Sequence, residues 1–172
     1  MSYKKRCIYV TTDGAVSNNG DINGTGLIFG GIGAIFSNSP NGESFGEFNM
    51  GYADRPEEVT NNRMELLAVI EGLNYLKDQY GASIFREIIV QSDSQYVIKG
   101  ITEWVINWKR NNWRTAGGKD VKNIDLWKKL ITTTKLFTKE IEWKHVKGHN
   151  GHMLQEKADK LATDSVASEK NK

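Results

Sequence analysis

Two short apolar segments that each end on an aspartate constrain the fold of this chain most strongly. Residues 8–14 read Ile-Tyr-Val-Thr-Thr-Asp-Gly, and residues 87–93 read Glu-Ile-Ile-Val-Gln-Ser-Asp. The β-branched and aromatic residues in both segments predict buried strands. Burying an unpaired carboxylate costs several kcal/mol, so Asp13 requires a partner or a cation. A polar turn at Asp13-Gly14 that closes a hairpin is the alternative.

A predicted helix lies between the two strands. Within residues 60–80, apolar side chains recur at the spacing of one helix face, at Leu66, Val69, Ile70, Leu73 and Leu76. Two strands separated by a helix predict a β-α-β crossover, in which the carboxyl ends of parallel strands emerge at one edge of the sheet. Asp13 and Asp93 would meet at that edge, and Glu65 would approach them from the helix.

Glu65 also has a purely structural interpretation. If Asn62 caps the helix, Glu65 occupies the third position, where an acid returns a hydrogen bond to the cap and complements the helix dipole. The hypothesis of a three-acid site therefore depends on the predicted crossover and not on any single residue.

The other segments predict a mixed α/β fold. Further strands are expected at residues 31–36, 43–52 and 140–146, and further helices at residues 94–100, 123–134 and beyond residue 152. The Gly- and Asn-rich residues 15–26 predict a long turn. A glycine-punctuated loop carries His149, and Asp159 lies at the edge of the apolar stripe of the closing helix. Both are expected near the edge that carries Asp13.

Size and composition exclude several classes of protein. The 172 residues correspond to one domain, predicted to span residues 1–172. One cysteine excludes an internal disulfide framework, and three histidines leave few ligands for a zinc site. No apolar run approaches the roughly 20 residues that cross a bilayer. We therefore expect a soluble, intracellular protein without a membrane partner, located in the cytoplasm, with the nucleus or an organelle as the alternatives. The sequence gives no clear signal for an oligomer, and a monomer is the expected state.

The net charge of +2 conceals an asymmetry along the chain. Residues 13–93 contain twelve acids and four bases, whereas residues 94–129 contain eight bases and three acids. An acidic centre flanked by a basic segment suits a divalent-cation site beside a surface that binds a polyanion.

Three tryptophans are interleaved with cations in the basic segment. We expect Trp104 and Trp108, which share one helix face, to form a small satellite core. Lys109 and Arg110 would project outward to contact phosphates. Trp113 is expected to be accessible for stacking.

Taken together, the motifs resemble type 1 ribonuclease H. The resemblance covers residues 7–167, and its motifs are at residues 12–14, 60–65, 92–97, 104–113, 121–123 and 146–152, together with Asp159. It implies a five-stranded mixed sheet, with three antiparallel strands followed by two strands parallel to the first, and helices on both faces. It also implies an endonuclease that cleaves the RNA strand of RNA–DNA hybrids and leaves 3′-hydroxyl and 5′-phosphate ends.

The resemblance also implies roles for individual residues. Four carboxylates would hold two Mg²⁺ ions, with Mn²⁺ as a substitute, and His149 matches a mobile-loop histidine that assists catalysis. The matching carboxylates are Asp13, Glu65, Asp93 and Asp159. Five residues match positions that contact the hybrid in relatives, namely Thr60, Asn61, Asn62, Gln95 and Asn123. Trp104, Lys109, Arg110 and Trp113 fall in the basic protrusion of bacterial and vertebrate members.

Elementary chemistry agrees with this assignment. Phosphodiester hydrolysis needs a nucleophile near neutral pH and a stabilised leaving oxygen, and two cations supply both. Hard carboxylate oxygens suit Mg²⁺, and clustered carboxylates repel one another unless cations neutralise them. Amides such as those of Asn61 and Gln95 can contact the 2′-hydroxyl that distinguishes RNA.

Three departures from the family pattern stand out. The turn at residues 16–28 is longer than usual and lacks a common proline, Met153 replaces a common proline, and Gln155 replaces a common asparagine. Two other functions remain open at this stage: a hybrid-binding domain without catalysis, and a related nuclease or integrase-like enzyme that acts on DNA. The four acids disfavour the first, and the amides and basic protrusion disfavour the second.

Overall fold

A computed structural model describes residues 6–17, 24–148 and 151–172. The strands are β1 (Arg6–Val16), β2 (Ile28–Ser37), β3 (Ser44–Asp54), β4 (Phe85–Ser92) and β5 (Ile141–His145). The α-helices are α1 (Asn61–Tyr80), α2 (Gln95–Lys99), α3 (Val105–Arg110), α4 (Ile124–Thr134) and α5 (Met153–Lys170). A π-helical turn, Gly100–Trp104, joins α2 to α3.

The five strands form one mixed sheet in the order β3-β2-β1-β4-β5. β1, β2 and β3 pair in antiparallel fashion, whereas β4 is parallel to β1 and β5 is parallel to β4. The predicted α/β fold, with three antiparallel strands followed by two parallel to the first, is confirmed. β4 follows α1 and lies parallel to β1, so the carboxyl ends of β1 and β4 are at the same edge of the sheet; the chain between them also contains β2 and β3.

The first strand does not end at Asp13. Antiparallel pairing with β2 carries β1 on to Val16 and places Asp13 opposite Gly33. The parallel pairing with β4 ends at Thr12, the residue before Asp13, and Thr12 lies opposite Ser92. The hairpin-turn interpretation of Asp13 is therefore wrong, because the carboxylate lies where β1 and β4 separate.

Helices cover both faces of the sheet. α1 packs on β1 and β2 from one side, and α5 packs on the same two strands from the other side. The close approach of α5 requires glycine in β2, since a Cβ atom at Gly33 would lie 2.5 Å from the carbonyl oxygen of Ala158. Fully buried side chains from α1, the sheet and α4 form the main core, among them Leu66, Val90 and Trp127. No helix in the described ranges is long and apolar enough to cross a membrane.

The tryptophans of the basic segment extend this main core. Trp104, Trp108 and Trp113 are all half-buried and pack against it. The ring of Trp108 lies 5.5 Å from that of the buried Trp127, measured between centroids. The prediction of a satellite core formed by Trp104 and Trp108 is therefore wrong, because both rings pack against the main core.

Candidate active site

Three carboxylates converge at the carboxyl edge of β1 and β4. Asp13, Glu65 and Asp93 each contribute one oxygen, and these oxygens lie within 4.8 Å of one another. We refer to these three residues as the acid cluster. Asp13 is only 5 % exposed, whereas Glu65 and Asp93 are half-buried. The three acids meet as predicted, because β1 and β4 are parallel and α1 packs on β1.

Gly14 allows α1 to approach β1 closely enough for Glu65 to reach Asp13. A Cβ atom at Gly14 would lie 2.6 Å from the carbonyl carbon of Met64 and 2.7 Å from the backbone nitrogen of Glu65. Real Cβ atoms essentially never approach other atoms so closely, so any other residue would push the helix away. The backbone N–H of Gly14 also donates to Oδ1 of Asp13 at 2.9 Å.

Glu65 does not belong to a helix cap. Thr60 is the N-cap of α1, and its hydroxyl accepts a hydrogen bond from the backbone N–H of Arg63 at 3.2 Å. Asn62 lies within the helix, so Glu65 is beyond the third position and cannot complete a capping box with it. The capping interpretation of Glu65 is therefore wrong, and its carboxylate faces the sheet edge instead.

Asp93 is held between the start of α2 and the loop that follows β5. Ser94 caps α2 by accepting a hydrogen bond from the backbone N–H of Val97 at 3.3 Å. On the opposite side, a Cβ atom at Gly148 would lie 2.8 Å from Oδ2 of Asp93. Nε2 of His145 lies 3.2 Å from the carbonyl oxygen of Asp93. A side chain at position 148 would therefore displace the carboxylate of Asp93.

Burial and mutual repulsion raise the pKa values of two carboxylates in the acid cluster. Burial raises the pKa of Asp13 to about 7, and the charges of Asp93 and Asp159 also raise it. Burial and the charge of Asp13 raise the pKa of Glu65 well above its usual value. Oε2 of Glu65 is buried and accepts no hydrogen bond from the residues that the structure describes. Three hard oxygen donors with an unsatisfied buried lone pair fit a divalent cation such as Mg²⁺.

Asp159 lies near the acid cluster but outside its 4.8 Å group. It is half-buried on α5, and its charge raises the pKa of Asp13. Gln155, one turn earlier, ties α5 to β1, because its Nε2 donates to the carbonyl oxygen of Thr12 at 3.0 Å. The longer side chain at this departure from the family pattern thus reaches the strand beside Asp13. Met153, the second departure, is exposed.

The start of α5 depends on a histidine cap. Nδ1 of His152 accepts a hydrogen bond from the backbone N–H of Gln155 at 3.1 Å. Burial lowers the pKa of His152, which favours the neutral ring that can accept this bond. His149, the predicted catalytic histidine, lies outside the described residues, as do residues 18–23 of the long turn.

The residues expected to contact a hybrid lie on three elements that begin near the acid cluster. Asn61 and Asn62 are exposed on the first turn of α1, and Gln95 is exposed at the start of α2. Asn123 is half-buried at the start of α4. Thr60 uses its hydroxyl to cap α1.

The basic protrusion combines packed rings with exposed cations. Lys109 and Arg110 are exposed at the end of α3. The ring centroid of Trp113 lies 6.3 Å from that of Trp108, and the ammonium group of Lys128 lies 5.3 Å above the Trp113 ring. Trp113 is therefore half-buried and already has a cation over one face, so it is less accessible than the sequence predicted.

Comparison with known proteins identifies the family. The family model described as RNase H matches residues 5–167. The chain belongs to the ribonuclease H family. It is 42 % identical over 158 residues to the ribonuclease H of Actinobacillus succinogenes, covering 92 % of this chain and 88 % of that protein. It is 41 % identical to the ribonuclease H of Afipia carboxidovorans, covering 93 % of each.

Solved structures of ribonucleases H have the same fold. LC9-RNase H1, a type 1 RNase H with the type 2 active-site motif, is 26 % identical, with a TM-score of 0.72 over 95 % of this chain and 74 % of its own. LC11-RNase H1, solved in complex with an RNA/DNA hybrid, is 17 % identical, with a TM-score of 0.68 over 94 % and 98 %. The predicted family is confirmed, and this ribonuclease H-family chain is therefore a nuclease.

A network of polar contacts around Arg63 was not predicted from the sequence of this ribonuclease H-family chain. Arg63 is 8 % exposed, although arginine is rarely buried unless paired. A signal was present, because Arg63 lies three residues before Leu66 and so falls on the apolar stripe of α1. Its partners are Glu58, Asn123 and Asp125.

Proposed function

We propose that this protein is an endonuclease that hydrolyses the RNA strand of RNA–DNA hybrids and leaves 3′-hydroxyl and 5′-phosphate ends. One observation carries the proposal: three carboxylates meet within 4.8 Å at the carboxyl edge of the sheet in a chain of the ribonuclease H family. A repulsive carboxylate cluster is unfavourable for a domain that only binds, but it is suited to holding the cations of a nuclease.

Asp13, Glu65, Asp93 and Asp159 are the proposed ligands of two Mg²⁺ ions, which Mn²⁺ can replace. When bound, such ions activate a water molecule and stabilise the leaving oxygen of the cleaved phosphodiester. Asp13 is the central ligand, because it is the most buried of the acids and the charges of both Asp93 and Asp159 act on it. Cation binding would relieve the repulsion that raises its pKa.

His149 is proposed to carry protons or to assist product release. It follows Gly148, which packs against the carboxylate of Asp93. Histidine is the side chain whose ordinary pKa suits proton transfer near neutrality. We expect His149→Ala to slow multiple-turnover cleavage by roughly 10²-fold without abolishing it. A loss as complete as that of Asp93→Asn would contradict the auxiliary role.

Hybrid recognition is assigned to the exposed amides and to the protrusion. Asn61, Asn62 and Gln95 present donors and acceptors for the 2′-hydroxyl and base edges, together with Thr60 and Asn123. Lys109 and Arg110 would contact phosphates, beside Trp104 and Trp113. In support, LC11-RNase H1 has the same fold and was solved with an RNA/DNA hybrid. We expect the enzyme to act as a monomer of one domain in the cytoplasm.

A substrate comparison tests the proposal. The protein is incubated with an end-labelled RNA–DNA hybrid, duplex RNA and duplex DNA of one sequence, with Mg²⁺ or with chelator. We expect cleavage of only the RNA strand of the hybrid, only with the metal, and ligatable 5′-phosphate products. Cleavage of duplex DNA would favour the DNA nuclease, and hybrid binding without cleavage of any substrate would favour the binding domain. Either result would overturn the proposal.

A further inference from the structure

Arg63 of α1 forms an ion pair with Asp125 of α4. Its guanidinium donates to both carboxylate oxygens of Asp125, from Nη1 to Oδ1 at 2.9 Å and from Nη2 to Oδ2 at 2.8 Å. Nε donates to the carbonyl oxygen of Glu58 at 3.2 Å, and Nη2 donates to its carboxylate at 3.1 Å. Such a two-pronged contact fixes both the position and the orientation of the guanidinium plane.

The same guanidinium also holds the side chain of Asn123. Nη1 of Arg63 donates to Oδ1 of Asn123 at 3.4 Å. At the other end of the amide, Nδ2 of Asn123 donates to the hydroxyl of Tyr96 at 3.0 Å, and this hydroxyl also accepts from Nε1 of Trp127 at 3.2 Å. One chain of hydrogen bonds therefore joins α1, α2 and α4 through Asn123.

The side chain of Asn123 does not cap the helix that begins at this residue. Asn123 is the N-cap of α4, a position where the asparagine oxygen commonly accepts a backbone N–H. Its side chain makes no such bond, and its backbone is left-handed, with φ 59°. A side chain turned away from its cap and held at both ends is expected where its orientation serves a ligand.

We propose that Arg63 and Asp125 are positioning residues that hold the amide of Asn123 in the orientation in which it binds the hybrid. This inference rests on the proposed function, because the hybrid is the ligand. Asp125 would act only through Arg63 and Asn123. Its effect should therefore appear in the affinity for the hybrid and not in the rate of the chemical step.

The test measures the dissociation constant of a fluorescent hybrid in chelator, where no cleavage occurs. Asp125→Asn is compared with Glu71→Gln, because Glu71 of α1 also forms an ion pair with α4, through Lys129 at 3.7 Å. Each variant loses one negative charge and one α1–α4 ion pair, but Glu71 does not contact the network around Asn123. Charge alone would tighten the binding of a polyanion in both variants.

We expect Asp125→Asn to weaken hybrid binding about tenfold, the scale of one lost hydrogen bond to a charged group. Glu71→Gln should stay within about twofold of wild type, as for an ordinary surface pair. Folding is checked by circular dichroism and by the melting temperature. Arg63→Lys, which retains the charge but loses the two-pronged contact, should weaken binding in the same direction.

A double-mutant cycle separates positioning from a general structural role. In an Asn123→Ala background, Asp125→Asn should weaken binding by less than about twofold further, because its effect passes through Asn123. Unchanged or tighter binding by Asp125→Asn, an equal loss in Glu71→Gln, or additive losses in the double variant would overturn the positioning role. A wild-type protein that binds the hybrid but never cleaves it would overturn the catalytic proposal alone, and the affinity ratios would still decide the role of Asp125.

Discussion

The acid cluster and the basic protrusion present their charges in opposite ways. In the acid cluster, the backbone packs closely around the carboxylates: a Cβ atom at Gly14 would lie 2.6 Å from the carbonyl carbon of Met64, and one at Gly148 would lie 2.8 Å from Oδ2 of Asp93. In the protrusion, the rings face the core while Lys109 and Arg110 are exposed. Chemistry depends on groups fixed within a fraction of an ångström, whereas attraction to phosphates acts over many ångströms. Changes in the cluster should therefore affect turnover, and changes in the protrusion should affect binding.

The largest effect is expected from Asp13→Asn. The amide retains the size of the side chain but removes the charge at the centre of the cluster, so we expect single-turnover cleavage of a bound hybrid to fall at least about 10³-fold. Asp164→Asn, which changes an exposed acid on α5, is the matched control and should cleave like wild type. A rate within tenfold of wild type for Asp13→Asn would break the contrast between the two regions.

Gly148→Ala tests whether the close backbone contact matters for turnover. The added Cβ would lie 2.8 Å from Oδ2 of Asp93, so the carboxylate must move, although the flexible side chain can do so without unfolding the protein. We expect cleavage to fall by about 10²-fold, the effect of a misplacement near 1 Å, with little change in melting temperature. Gly117→Ala, whose Cβ would meet only the hydroxyl of Thr115 at 3.9 Å, should leave both quantities unchanged.

The protrusion should respond differently to substitution. The double variant Lys109→Ala/Arg110→Ala is expected to bind the hybrid more weakly. A plot of the logarithm of its binding constant against the logarithm of the salt concentration should have a slope smaller by about 0.9 for each lost phosphate contact. The rate at saturating hybrid should remain within about twofold of wild type. The control, Arg86→Ala/Lys139→Ala, removes two exposed cations at the amino edge of the sheet. Equal changes in salt dependence for both pairs would show that the protrusion does not contact the hybrid.

The last expected effect concerns the stability of the metal-free protein and not binding or turnover. Because burial raises the pKa of Asp13 from 3.8 to about 7, the folded state binds more protons than the unfolded state between these values. The free energy of unfolding in chelator should therefore fall as the pH rises from about 4 to about 7, and Asp13→Asn should flatten that decline. A decline of equal steepness in Asp13→Asn would show that Asp13 does not titrate in this way.

The sequence predicted the acid cluster because the relation between its members is topological. The carboxyl ends of adjacent parallel strands lie at the same edge of a sheet, regardless of the chain that connects them. Asp13 and Asp93 could therefore be expected to lie close together, although 80 residues separate them in the sequence. The pairing of Arg63 with Asp125 has no such signature. It depends on how α4 packs against α1, and no periodicity encodes a contact across 62 residues.

The sequence also did not predict where α1 begins, where β1 ends or how accessible Trp113 is. Thr60 and Asn62 are both residue types that cap helices, and the sequence does not show that Thr60 is the one that caps α1. The apolar pattern of β1 stops at Asp13, yet pairing with β2 extends the strand to Val16. The accessibility of Trp113 depends on Lys128, a residue of another helix.

A magnesium titration of thermal stability tests the central claim most directly, because it detects ions at the acid cluster without relying on cleavage. Wild type, Asp13→Asn and Asp164→Asn are melted near pH 8 in chelator and at increasing Mg²⁺. We predict that Mg²⁺ raises the melting temperature of wild type and Asp164→Asn, since a ligand that binds only the folded state stabilises it. Asp13→Asn should melt higher than wild type in chelator and gain little from the metal. If Mg²⁺ leaves the melting temperature of wild type unchanged, or raises the melting temperatures of all three proteins equally, a metal site at Asp13 is contradicted.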